Sequence, residues 1–151
     1  MTRWSRGEAE IEALLATDNL QRLTGEAADG RRLLAKASTT VDTAHSVVAR
    51  DPDSAFVLAY DSARQAATAL LAQQGLRPTT KGGHYAVEQA VRAQFGPGFR
   101  QFGHLRRRRN ELEYPQRPGD DATAVEAIAA IDDADAIITA AQQLIDRLSL
   151  F

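Results

Sequence analysis

Phe99-Arg100-Gln101-Phe102-Gly103-His104-Leu105-Arg106-Arg107-Arg108-Arg109-Asn110-Glu111-Leu112-Glu113-Tyr114-Pro115 joins dense positive charge to a helical stripe. Phe102, Leu105, Arg109 and Leu112 follow one another at steps of three, four and three, which places them on one face of a helix. Arg109 therefore stands where a core residue belongs, and a guanidinium in an apolar stripe requires a partner, a cleft or an interface. Arg106, Arg107 and Arg108 fan around the remaining circumference, where water can solvate them. Pro115 disfavours helical geometry at Tyr114 and bounds the helix, leaving a phenol just past its end.

Working outward, the sign of charge changes sharply. From Arg92 to Arg117 seven arginines outweigh two glutamates, whereas from Pro118 to Phe151 seven acids face Arg147 alone. The net charge of −2 hides this asymmetry. Either the two segments pack side by side and neutralise one another, or the basic segment presents an anion-binding surface; both can hold at once.

At 151 residues and 44% hydrophobic content, one domain spanning 1–151 with a real core is expected. The chain has no cysteine, which excludes disulfides and thiolate zinc sites, and His45, His84 and His104 lack ligand spacing, so no metal is expected. No cofactor motif occurs. Acids interrupt the apolar residues of the first twenty positions, and no apolar run approaches the length of about 20 that spans a bilayer. The expectation is a soluble, cytoplasmic protein without a membrane partner.

The same three-four spacing recurs along the chain. Ile11, Leu14 and Leu15 mark a short helix over residues 5–16, with Trp4 as an anchor at its start. A second helix opens at Thr24-Gly25-Glu26 and carries Leu34, Ala37, Val41, Ala44 and Val48, with His45 beside the stripe as a structural histidine. Asp51-Pro52-Asp53 starts a third, to about Gln74, through Phe56, Ala59, Ala63, Ala66 and Leu70. Leu76 to Gly83 is punctuated as a loop, and a helix near His84 to Gln94 uses Val87, Ala90 and Val91. The last helix, from about Asp121 to Leu148, seams Ala127, Ile131, Ala134, Ile138, Ala141, Ile145 and Leu148. No segment alternates long enough for a sheet, so the spacing predicts an all-α bundle of about five main helices. Phe56, Ala63, Leu70, Leu105, Ile131, Ile138 and Ile145 are its expected core.

Two weaker signals compete with plain punctuation. Lys81-Gly82-Gly83-His84 has the composition of a phosphate cradle at a helix N-terminus, but Gly-Gly before a helix also simply makes a turn. Pro115-x-x-Pro118 matches an SH3-type ligand spacing, and an inter-helix loop explains it better.

The segment Ala55-Phe56-Val57-Leu58-Ala59-Tyr60-Asp61-Ser62-Ala63-Arg64-Gln65-Ala66, followed by Gln74-Gly75-Leu76, Gly83-His84 and Arg109-Asn110 near a helix end, resembles the HEPN superfamily of prokaryotic toxin–antitoxin and defence systems. The resemblance covers most of the chain. It implies a dimeric, RNA-directed protein, in catalytic members a metal-independent ribonuclease whose motif arginine contacts phosphate while a histidine after four to six intervening positions assists proton transfer. Arg109 and Asn110 match the first half of that motif, and Tyr114 stands where the histidine would be. The implied catalytic set is Arg109, Asn110 and Tyr114, with Arg106, Arg107, Arg108, Lys81 and His84 as nucleic-acid contacts. A phenol with an ordinary pKa near 10 donates hydrogen bonds at neutral pH and is a poor general base. His104 points about 140° away from Arg109 around the helix, so it cannot replace that histidine from the same chain, and a His84 or His104 supplied across a dimer is the alternative left open. The alternative is a non-catalytic interaction module that binds an antitoxin or another protein.

Overall fold

The computed structural model describes residues 2–151. Asp51 starts the central helix α3 (Pro52–Gln73) as an N-cap, its carboxylate accepting from the Ser54 backbone N–H at 3.1 Å and the Ser54 hydroxyl at 2.6 Å. Those hydrogen bonds, with Arg50 nearby, hold the Asp51 carboxyl below its usual range. Alanines dominate the face of α3, and it is buried on several sides at once, with Phe56, Tyr60, Ala63, Ala66 and Leu70 inaccessible or nearly so. Small side chains let helices α2 (Arg31–Val47) and α6 (Ala124–Leu144) lie close along it.

Helices α1 (Glu8–Ala16), α4 (Gly83–Phe95) and α5 (Phe102–Glu113) complete an all-α bundle of six helices, five of them long. Tyr60 meets His84 at the start of α4, and Gln74 meets Gln94 at its end through two amide hydrogen bonds of 2.6 and 3.0 Å. The two helices thus run alongside in the same direction. To achieve this the chain must return along α3 after Gly75, and part of that return is extended: β2 (Leu76–Pro78) pairs antiparallel with β1 (Leu20–Arg22). The expected loop therefore contains a short strand, three residues long and too short to alternate legibly.

The expected core is buried throughout: Phe56, Ala63, Leu70, Leu105, Ile131, Ile138 and Ile145 are each at most 5% exposed. Helix boundaries shift where local geometry intervenes. Gly25–Ala27 forms only a 3-10 turn, and α2 begins after Gly30, whose Cα passes so close to the Ala69 carbonyl that no Cβ would fit. The Gly30 N–H donates to Gln73 Oε1 at 3.0 Å. α1 starts at Glu8 rather than residue 5, because Gly7 has φ +74° and its Cα packs on the Ala93 backbone. Trp4 anchors that start, donating from Nε1 to the Gln94 carbonyl at 3.0 Å. α6 starts at Ala124 with Thr123 as N-cap, accepting from the Glu126 N–H at 3.1 Å, and gives way to a 3-10 turn at Ile145–Arg147. No described helix is long and apolar enough to cross a membrane.

Candidate functional site

The stripe of α5 is laid against α3 as its spacing requires. Phe102 and Leu105 are fully buried, Leu112 is partly buried, and Arg109 is half-buried on the same side. Its guanidinium lies 5.8 Å from the Tyr60 ring centroid, and the Phe102 ring packs 5.7 Å from the same ring. One terminal nitrogen donates to Asn110 Oδ1 at 3.3 Å, while the buried Nε has no hydrogen-bond partner.

Tyr60 links Arg109 to α4. Its hydroxyl lies 2.9 Å from His84 Nδ1, and the two rings stack obliquely at 5.6 Å. Burial pushes the phenol up to about 12, against the pull of Arg64, Arg106 and Arg109, so it keeps its proton. Burial first, then Arg64 and Arg109, and more weakly Arg106, hold His84 below its ordinary 6.5, with Asp61 opposing them. His84 is therefore grouped with Arg109 inside one chain, without a dimer partner. Arg64, one turn beyond Tyr60 on α3, also has a buried Nε without a partner.

Two of the other three arginines of the run are already engaged. Arg106 Nε donates to Glu88 Oε2 at 2.6 Å, and Glu88, only 3% exposed, also receives Arg92 at 3.4 Å. Gly103 makes room for this carboxylate, since a Cβ there would collide with Glu88 Oε1. Arg108, with 14% of its side chain exposed, is held by Glu126 at 2.5 Å and by Asp120 and Glu111 at 3.1 Å. These bonds push its pKa upward, and they join the basic segment to the acidic one. Glu111 thus pairs with the arginine three residues before it. Arg107 remains on the exposed side.

Lys81 donates to the Thr17 carbonyl at 2.8 Å, at the end of α1. Thr79 takes up both glycine N–H groups of that turn, Gly82 through its hydroxyl and Gly83 through its carbonyl, at 3.0 and 2.9 Å. Neither N–H is left for a phosphate, so the cradle is an inter-element turn. Tyr114 caps α5 and is 71% exposed, with Asn110 beside it on the outer surface. His104 faces α6, where it opposes the burial that raises the Asp133 pKa. His45 has the structural role expected of it, bonding Asp135 at 3.1 Å across α2 and α6.

Sequence reasoning missed Tyr60, Arg64 and Glu88 as members of this group. For Glu88 the signal was present: it lies on the face of His84, Val91 and Phe95 at steps of four, three and four. A charge in an apolar stripe marks Glu88 as it marks Arg109. Among the described residues, no three histidine, aspartate or glutamate side chains gather into a metal-ligand set. Comparison with family models, curated proteins and solved structures finds no match for the chain.

Proposed function

We propose that the chain is a HEPN-like, homodimeric RNA-directed protein that cleaves RNA without a metal, as a ribonuclease of a toxin–antitoxin or defence system. Arg109 carries this reading: a half-buried guanidinium with an unpartnered Nε, set among Tyr60, His84 and Arg64, in a helix whose other buried-side arginines are ion-paired. Such a group matches phosphate oxygens in a fixed fork and gains strength from its low-dielectric setting. In the cleavage step the RNA 2′-oxygen forms a bond to phosphorus and the P–O5′ bond breaks. The 2′-hydroxyl proton passes to solvent, a solvent proton goes to the departing 5′-oxygen, and the strand ends in a 2′,3′-cyclic phosphate. Arg109 offsets the charge that builds on phosphorus oxygens, and the exposed Tyr114 phenol donates a hydrogen bond to the leaving oxygen. A groove of about 310 Å³ lined by Val57, Leu58 and Leu112 together with Asp53, Ser54 and Glu113 adjoins the end of α5, which supports a dimer that brings two Arg109–Tyr114 segments together.

A second reading, the non-catalytic module that binds an antitoxin or another protein, is favoured by the internal pairing of Arg106 and Arg108. Those arginines are spent on the fold and not on RNA. Metal-free cleavage and RNA binding by wild type, Arg109→Ala, Tyr114→Phe and Tyr114→His separate the two. Under the ribonuclease reading Arg109→Ala abolishes cleavage, Tyr114→Phe impairs it with binding nearly intact, and Tyr114→His raises it. Absence of both cleavage and RNA binding selects the interaction module.

A further inference from the structure

The first proposal leaves three groups unexplained. Arg64 has a buried Nε without a partner, His84 sits beside three guanidinium groups that oppose its protonation, and Tyr60 keeps a hydroxyl in a ring that is itself inaccessible. Tyr60, Arg64 and Thr68 succeed one another at steps of four, which makes a polar stripe down α3, and the Thr68 hydroxyl is also buried without a partner. Buried polar atoms without partners are uncommon, and two of those in this chain are guanidinium Nε atoms near one tyrosine–histidine pair.

The charge count of the group is informative. Arg106 and Arg92 share the buried Glu88, and Asp61 is the acid that opposes Arg64 and Arg109 at His84. The group is net positive, which suits an anionic phosphate. The phenol has His84 Nδ1 as its hydrogen-bond partner, and a buried hydroxyl must donate to avoid an unsatisfied proton. Donation to Nδ1 places the imidazole proton on Nε2, and His84 as a residue is exposed. Tyr60 is then a positioning residue, fixing the tautomer of a neutral donor.

We infer that Arg64, Arg109 and the Nε2–H of His84 form a phosphate-binding subsite within a single chain, taking a backbone phosphate of single-stranded RNA. The subsite rests on the RNA-directed reading above and adds two binding residues that the Arg109–Tyr114 motif does not contain.

The test uses the full chain, a 2′-O-methylated RNA oligonucleotide that cannot be cleaved, and inorganic phosphate as a separate arm. Affinity is read by fluorescence anisotropy, and the His84 imidazole nitrogens by NMR, assigned through the loss of signal in His84→Gln. The wild type shows the Nε2–H tautomer, and its His84 resonances move with the oligonucleotide. Arg64→Ala weakens binding about tenfold, the weight of one charge-assisted contact, and Arg64→Lys, which keeps charge and packing, restores only part of it. Tyr60→Phe, which keeps the ring, mixes the tautomers and weakens binding. If Arg109→Ala weakens binding while Arg64→Ala does not and the His84 signals stay fixed, the subsite is overturned and the RNA-directed reading stands. If inorganic phosphate moves the His84 signals and the oligonucleotide does not bind, both the RNA assignment and the reading beneath it fall.

Discussion

At the residue scale the pairing of buried charges divides this chain into groups that hold the fold and groups left to act. Glu88 and Gly103 belong to the first kind. Gly103→Ala places a methyl against a carboxylate pinned by Arg106, and a cost of about 1–3 kcal/mol is expected for such overpacking. In a Glu88→Ala background the obstacle is gone, so the same substitution becomes nearly neutral. Urea unfolding of the four proteins in this cycle measures the coupling, and additive losses would contradict it. His84 belongs to the second kind. Its folded pKa lies below the ordinary 6.5, so as pH falls through 6.5 the unfolded chain takes up the proton first and stability declines; above 6.5 this contribution is complete. Arg64, Arg109 and Arg106 drive this shift together with burial, and Asp61 moderates it. Thermal unfolding at pH 7.5 and 5.5 checks the sign: wild type loses more stability than His84→Gln between the two.

At the element scale, what was legible followed from repetition and what was not followed from single contacts. Three-four stripes of α3, α5 and α6 announced both the helices and their buried faces, because each stripe samples the period many times. The start of α2 depends on one glycine crossing Ala69, and the strand pair on three residues, so neither leaves a periodic trace. The start of α6 was legible but overlooked: Thr123-Ala124-Val125-Glu126 has the spacing of a capping box, and Thr123 is the N-cap. Around the site, Arg109 declared itself by breaking its stripe, whereas Tyr60 and Arg64 became visible only when α4 and α5 were placed against α3. Arg108 clasps the end of α5, the loop at Asp120 and the first turn of α6 together. Its removal should cost about 1–2 kcal/mol, at the modest end because its partners are partly solvated, and the loss should shrink in high salt. Denaturant midpoints of Arg108→Ala at two ionic strengths measure it, and a salt-independent loss would point to packing instead.

At the scale of the whole molecule, the basic and acidic segments neutralise one another mainly at Arg108, which leaves Arg107 exposed and Arg109 half-buried near the exposed Tyr114. The end of α5, with its adjoining groove, is the surface on which a second copy is expected to sit. Sedimentation should show a dimer at micromolar concentration, and substitution of Leu58 by Glu, at the rim of that groove, should shift it to monomer while the helical content persists. A wild-type monomer at high micromolar concentration would remove the dimer from the proposal, though not the subsite, which a single chain completes.

The central claim is that Arg109 acts on a phosphodiester, and metal-free cleavage of single-stranded RNA by wild type and Arg109→Ala tests it most directly. Both proteins are assayed at two salt concentrations in the presence of a chelator, with Arg108→Ala, which removes an ion-paired arginine of the same helix, as the comparison. The prediction is strand scission by wild type that Arg109→Ala abolishes, at protein concentrations where both remain folded. Equal cleavage by wild type and Arg109→Ala would contradict it.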